Sequence, residues 1–307
     1  MRRLPFLASL LLVLQTTSCD NGFLPFSLIQ GLRVISIVVD PPELSAGQHA
    51  TITPTLSPGY EDASIAWAIC HKVTFPGQGL INTDCFAETD RPYLEQLGTS
   101  PTLAFTMPPD LKVTDLGTPD SSTGFYLPVR WIVTKGNEKL MGFSRVRFYL
   151  GMQPPNQNPK LDTIVRVEGG IVNVDGKDRD QGPEILTPVD PTITVAAGSK
   201  VRLRATVTPD SLEQYTRVQD LQTLMLQTVN EQARVRWHTT AGKFSQETTG
   251  FTVPNPTIPA PTLASITTEL DLATYPPTSL PANIDLWVVV TDERGGQGVR
   301  HFQLHVQ

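Results

Sequence analysis

The side chains that could do chemistry are few in this 307-residue chain: five histidines, at 49, 71, 238, 301 and 305, three cysteines, at 19, 70 and 85, and one acidic run. His301 and His305 share one face of an extended segment, but four residues at about 3.3 Å each set them about 13 Å apart, too far to share a metal. The run Asn173-Val174-Asp175-Gly176-Lys177-Asp178-Arg179-Asp180 offers calcium-type oxygens at Asn173, Asp175, Asp178 and Asp180. An EF-hand loop needs oxygens at alternate positions and its glycine sixth. Here Lys177 takes a ligand position and the glycine is displaced, so the run reads as a solvated acidic turn. Gly-rich phosphate loops, nucleophile elbows and helical metal-binding histidine pairs are absent from the sequence. The chain therefore reads as a non-enzyme, with no catalytic residues, no metal and no cofactor.

Recognition chemistry is better placed. If Ile284, Leu286, Val288 and Val290 face a core, Asp285, Trp287, Val289 and Thr291 face away from it. The same alternation sends Arg234, Arg236 and His238 outward from one strand, and His301, Gln303 and His305 outward from another. Where these strands are neighbours they form one patch, an exposed Trp287 flanked by arginine and histidine. Trp and Arg are the types enriched at binding hot spots; the alternative is an Arg–Trp stack within the domain. Trp131, in step with Val129 and Val133, should face a core instead, so the two tryptophans are expected to point opposite ways.

The elements that position these residues are strands. With 27 prolines, 22 glycines, 39% apolar and 18% charged residues, the composition describes many short strands joined by turns. Leu32 to Asp40, stopped by Pro41-Pro42, opens the pattern, and a turn at Ala46-Gly47-Gln48 leads to alternating Ala50 and Ile52. Ile65, Trp67 and Ile69 follow, then Leu103 and Phe105. A hairpin of Leu127, Val129, Trp131, Val133 with Val146, Phe148, Leu150 closes this half. Leu161 to Glu168, the turn Ala197-Gly198-Ser199, Val201 to Val207, Val235 with Trp237, and the closing hairpin of Ile284 to Val290 with Phe302 to Val306 repeat the order. The Pro/Asn-rich stretch 152–160 reads as the linker between domains 32–151 and 161–307. The second half also carries an insertion, Ser211 to Gln232. Leu212, Tyr215, Val218, Leu221, Met225 and Val229 fall three and four apart behind a Ser211/Gln214 capping box, which predicts an amphipathic helix of about five turns.

The first eighteen residues set the address. Arg2 and Arg3, an apolar run from Leu4 to Leu14 and then Gln15-Thr16-Thr17-Ser18-Cys19 form an export signal too short to span a bilayer. Ser18-Cys19 resembles a bacterial lipoprotein signal, in which the cysteine becomes the lipid-modified N-terminus. Thr16 departs from that pattern, which usually has Leu there; ordinary signal cleavage near Cys19 is the alternative. The resemblance implies a signal peptide 1–18, a lipid on Cys19 (palmitate among its acyl chains), and a tether 19–31. Cysteine parity then leaves Cys70 and Cys85 as an expected disulfide, which an oxidising compartment would allow; a metal site with His71 is the alternative. Removing 1–18 leaves 22 basic against 30 acidic side chains, a formal charge of −8, which argues against nucleic acid as a partner.

Short alternating strands with a Trp on the third strand mark an immunoglobulin-like sandwich. Pro42-Glu43-Leu44-Ser45-Ala46-Gly47 and Trp287-Val288-Val289-Val290-Thr291-Asp292-Glu293-Arg294-Gly295-Gly296 resemble the starts and ends of Ig-like or PKD-like modules on lipid-anchored Gram-negative surface proteins. The expectation is an all-β chain of two tandem Ig-like sandwiches, membrane-anchored by lipid in the cell envelope and facing the periplasm or exterior. Its role would be binding or scaffolding, with an envelope or surface protein or a glycan as partner. The alternative is a passive structural spacer.

Overall fold

The computed structural model describes residues 24–72, 81–87, 91–117, 119–120, 122–151, 154–174, 177–189, 192–220, 225–250, 264–273 and 280–307, except the side chains of 171–174, 177–178, 209, 219–220 and 264–266. Cys19 and the signal lie outside the described residues, as does Asp175 of the acidic run.

Eight strands build the first sandwich: β1 (Val34–Asp40), β2 (Glu43–Leu44), β3 (His49–Leu56), β4 (Ser64–Cys70), β5 (Leu94–Thr99), β6 (Leu103–Thr106), β7 (Phe125–Lys135) and β8 (Glu138–Phe148). One sheet runs β1-β3-β6 and the other β2-β8-β7-β4-β5. The chain changes sheets between β1 and β2 at the Pro41-Pro42 break, and β2 then pairs in parallel with the closing strand β8. Trp67, Ile52, Phe105 and Val129, the alternate residues of their strands, are sealed between the sheets. The Trp67 Nε1 donates to the Ser100 carbonyl at 2.8 Å, which satisfies its one polar group at the core edge.

The second sandwich repeats the plan with additions. It comprises β9 (Leu161–Glu168), β10 (Ile171–Val174), β11 (Lys177–Asp180), β12 (Ile185–Pro188), β13 (Thr192–Val195), β14 (Lys200–Val207), β15 (Gln214–Asp220), β16 (Met225–Asn230), β17 (Ala233–Thr239), β18 (Lys243–Phe244), β19 (Thr248–Gly250), β20 (Ala264–Asp271), β21 (Asn283–Asp292) and β22 (Gln297–Val306). The sheets run β12-β9-β14-β20-β18 and β13-β22-β21-β17-β19. Again the opening strand is split, and its second part, β13, pairs in parallel with the last strand, β22. Two sheets of this order, sharing a divided first strand and a Trp on the third, are the immunoglobulin-like arrangement. The chain is all-β. The acidic run becomes the β10–β11 hairpin, with Asn173 opposite Asp178.

Among the described residues of Ser211–Gln232, which leave out Leu221, the expected helix is not there. After a 3-10 turn at Pro209–Ser211, β15 and β16 form an antiparallel hairpin in which Gln214 faces Asn230, Tyr215 faces Val229 and Val218 faces Leu226. Two causes are visible. The Ser211 hydroxyl, needed to cap a helix, instead accepts from the Lys160 backbone N–H at 2.9 Å and donates to the Thr208 carbonyl at 2.7 Å. Thr216, Val218, Thr228 and Val229 are also β-branched and favour an extended chain. The apolar spacing reflects a base, buried Tyr215 and Val229, and an exposed pair, Met225 and Leu226.

Cys70 and Cys85 are joined, with Cα atoms 5.8 Å apart across a separation of 15 residues. The bridge ties the end of β4 to the 3-10 turn Thr83–Phe86 and packs with Leu94 apart from the main core, so it staples a loop. Cys70→Ala should lower the stability of the first sandwich by about 3 kcal/mol, the chain-entropy value for such a loop. Chemical denaturation with and without reductant reads the difference, and equal midpoints would contradict it.

Candidate functional site

Trp287 faces away from its own core, as the alternation requires. Val288 and Val290 are sealed inside the second sandwich, and Trp287 and Val289 lie on the other side of β21. That side is not open. Ile29 from the N-terminal segment and Ile35 of β1 pack on Trp287, Val289 and Val299, leaving the tryptophan 4% exposed. The exposed Trp287 expected from sequence is therefore corrected to a buried one, because the first sandwich and the segment before it cover this face. Trp131 joins the core of the first sandwich, so the two tryptophans do point opposite ways. Gly142 lies directly opposite Trp131 in the β7–β8 register, and a Cβ there would run into the indole ring.

The rest of the expected patch is divided among different surroundings. His238 pairs across the sheet with Trp287 and is also buried, 5.9 Å from the ring of Phe26. Burial first, and then the charges of Arg33 and Arg236, push its pKa down to about 4, so the imidazole is neutral at physiological pH. The expected outward, accessible His238 is thus also corrected. His301 stacks on Trp287 with ring centroids 4.7 Å apart and sets its Nε2 2.9 Å from Asp285 Oδ1. His305 lies farther along β22, its Nδ1 3.0 Å from Asn283 Oδ1. Arg234 and Arg236 remain exposed and border the seam between the sandwiches. Among the described residues no three His, Cys, Asp or Glu side chains converge as a metal site.

The segment 24–31, expected to be a tether, is built into this seam. Leu28 forms a parallel bridge with Thr239 at the end of β17; the Ile29 N–H donates to the Thr239 carbonyl at 2.8 Å and the Thr239 N–H to the Ser27 carbonyl at 2.9 Å. The Ser27 hydroxyl adds a bond to Glu247 at 3.0 Å. Arg33 donates back to the Leu28 carbonyl at 3.1 Å and lies 4.2 Å from the centre of the Phe26 ring. The segment thus leaves β1 and straps across to the second sandwich before the described chain begins.

The linker is held just as closely. The Asn156 N–H donates to Glu43 Oε2 at 2.7 Å, and Glu43 Oε1 accepts from Arg147 Nε at 2.7 Å. The Asn156 amide reaches the Asp292 carboxyl at 3.3 and 3.4 Å. Asn158 donates to the Val39 carbonyl at 2.8 Å and accepts from the Gln297 N–H at 2.9 Å. Asn156 and Asn158 thus each bond to both sandwiches, and together they fix the angle between them. Gly296 is needed for this approach, because a Cβ on it would strike the Asp292 carboxyl and the Gln157 carbonyl.

At the centre is Arg294, in the β21–β22 turn and fully buried. It donates to Glu231 at 2.9 Å, to Glu213 at 2.5 Å and to the Pro154 carbonyl of the linker at 3.1 Å. Three carboxyl groups, on Glu213, Glu231 and Asp292, crowd one guanidinium. Burial, and then the charge of Glu231, push Asp292 up to about 8; burial, and then a hydrogen bond with Glu231, push Glu213 up to about 7. Protons are therefore held in this cluster near neutral pH, as is expected when like charges share a site removed from water.

Sequence reading does not find Arg294, Glu231, Glu43, Arg147 or Asn156, because each looks like an ordinary surface residue of a turn, strand end or linker. One signal was available: Leu286-Trp287-Val288-Val289-Val290 is apolar without interruption, and a strand apolar on both faces is covered on both faces.

No family model and no curated protein matches the chain. Among solved structures it is similar to a chimeric titin Z1Z2 functionalized with a KLER exogenous peptide from decorin, at 12% sequence identity and a TM-score of 0.20, over 90% of this chain and 98% of that one.

Proposed function

We propose that the protein is a lipid-anchored, non-catalytic scaffold of a bacterial cell envelope, in which two Ig-like sandwiches act as one stiff body facing the periplasm or exterior. One observation carries this reading: the surface that sequence offers for recognition is spent on joining the sandwiches, through Trp287, the Asn156–Asn158 linker and Arg294. Separate binding modules on a flexible linker would not bury a charged network between them. The strap from Ser27 to Ile29 supports the same view, because it ties the anchored end of the chain to the second sandwich. From Cys19 to Leu24 is five residues, at most about 17 Å of extended chain, so a lipid on Cys19 would hold the seam close to the membrane. Exposed Arg234 and Arg236 leave an envelope protein or a glycan as a partner at the seam's rim. No helix among the described residues is long and apolar enough to cross a membrane.

Cys19→Ala tests the anchor. The substitution should move the protein from the detergent phase to the aqueous phase in a cloud-point partition, since each buried CH₂ of an acyl chain contributes about 0.8 kcal/mol. An unmodified Cys19 by intact mass in protein taken from membranes would overturn it.

A further inference from the structure

The strap that ties the chain to the second sandwich has two sides. Ser27, Leu28 and Ile29 face inward, at most 6% exposed, and are held by the bonds to Glu247 and Thr239. Leu24 and Phe26 face outward, at 52% and 57% exposure. The turn that carries them is fixed: the Leu28 N–H donates to the Pro25 carbonyl at 3.0 Å, and the proline ring restricts the backbone there. Phe26 is steadied in turn by Arg33, whose guanidinium lies 4.2 Å from the ring centre and donates to the Leu28 carbonyl at 3.1 Å. The chain thus holds two large apolar side chains in water on a backbone already ordered, so a partner that covers them orders little more.

Single exposed apolar side chains are common on protein surfaces. Place in the chain sets these two apart. Leu24 is five residues from Cys19 and Phe26 is seven, at most about 17 and 25 Å of extended chain, and the headgroup layer on each side of a bilayer is about 5–8 Å deep. A lipid on Cys19 would therefore keep the turn within reach of the bilayer, and a tether so short raises its effective concentration there to about the millimolar range. An aliphatic and an aromatic side chain with a guanidinium at their edge suit that interface, the apolar groups below the headgroups and the cation at the phosphates.

We propose that Leu24 and Phe26 insert into the phospholipid bilayer beside the anchor, with Arg33 at the headgroup phosphates, so that the strap makes a second, protein-borne contact with the membrane. The inference rests on the lipid-anchor reading, which brings the turn to the bilayer in the cell.

The test supplies the lipid chemically. In the chain from Cys19 onward, with the native disulfide intact, Cys19 is the one free thiol, and coupling it to a maleimide with a single tetradecyl chain gives reversible membrane binding. Docking is then read whether or not the cell modifies Cys19, which intact mass decides separately. On phosphatidylcholine vesicles, Leu24→Ser combined with Phe26→Ser should bind at least about tenfold more weakly than the parent, the effect of withdrawing one large apolar side chain from the bilayer. Leu24→Ser alone should fall between them. Phe26→Trp keeps the apolar tip and adds a reporter: the four native tryptophans are at most 9% exposed, so any quenching by brominated phosphatidylcholine beyond that of the parent comes from position 26. Equal vesicle binding by the parent and both serine variants, or no added quenching in Phe26→Trp, would overturn the proposal. A parent that sediments as a dimer and serine variants that sediment as monomers, with vesicle binding unchanged, would overturn it too and assign the turn to a second copy of the chain.

Discussion

Arg294→Leu should destabilise the second sandwich by about 3–5 kcal/mol, because it strands Glu213, Glu231 and Asp292 without their cation in a site closed to water. The loss should depend on pH in an unusual direction. Asp292 and Glu213 titrate in the folded protein at about 8 and about 7, above the value of about 4 for an unfolded carboxyl. The folded state therefore binds more protons than the unfolded one between pH 4 and 8. Stability is greatest at the acid side of that window and falls as pH rises through it, by at most about 1.4 kcal/mol per pH unit for each proton. Most small proteins show the opposite slope over the acid half of this range, because their carboxylates are paired or exposed. Without Arg294 the cluster has more negative charge to neutralise, so the variant should be markedly weaker at pH 8.5 than at pH 5.5. Guanidinium denaturation at the two pH values reads both effects. A variant equal to the parent at pH 8.5, or one less stable at pH 5.5 than at pH 8.5, would show that the cluster does not hold the seam.

Trp287→Ala has the next largest expected effect. The side chain fills the space between β21 and β1 together with Ile29, Ile35 and Val289, and removing a buried tryptophan costs about 3–5 kcal/mol. Here the cost should fall on the contact between sandwiches rather than on either core. The second sandwich keeps Trp237, Phe244 and Leu286 in place, so its own strands should survive. Small-angle scattering should therefore report a larger radius of gyration and a broader particle, with far-UV circular dichroism unchanged. Scattering identical to the parent would mean that Trp287 is incidental to the joint.

How far the sequence could be read follows from the kind of signal each feature leaves. Strands leave a local one, a period of two, so Ile65-Trp67-Ile69 and Ile284 to Val290 were legible, and so was the opposite facing of Trp131 and Trp287. The plan of each sandwich followed, since two copies of one order constrain each other. The β15–β16 hairpin was not legible. Its apolar residues fit a helical spacing by accident, and the atom that decides the matter, the Ser211 hydroxyl, is claimed by Lys160 fifty-one residues away.

What covers a face is a tertiary fact, and this is where the reading of the patch failed. Alternation shows that Trp287 leaves one core; only the packing of Ile35 shows that it enters another. The uninterrupted apolar run of β21, and that of β1 broken only by Ser36, held that information in weak form. Asn156 and Asn158 show the same limit: in a Pro/Asn-rich stretch they look like spacer, and their bonds to Glu43, Asp292, Val39 and Gln297 span more than a hundred residues of sequence. Arg294, flanked by glycines and acids in a turn, has the composition of a solvated loop and the surroundings of a core.

The two sandwiches are proposed to form one body. Spin labels on Asn137→Cys, in the β7–β8 turn, and Gln246→Cys, between β18 and β19, measure it directly, because both positions are exposed and lie on different sandwiches. In full-length protein carrying Cys19→Ala, with the native disulfide intact, pulsed dipolar spectroscopy should give a single narrow distance distribution. A broad or multiple distribution in the parent protein would contradict a locked seam.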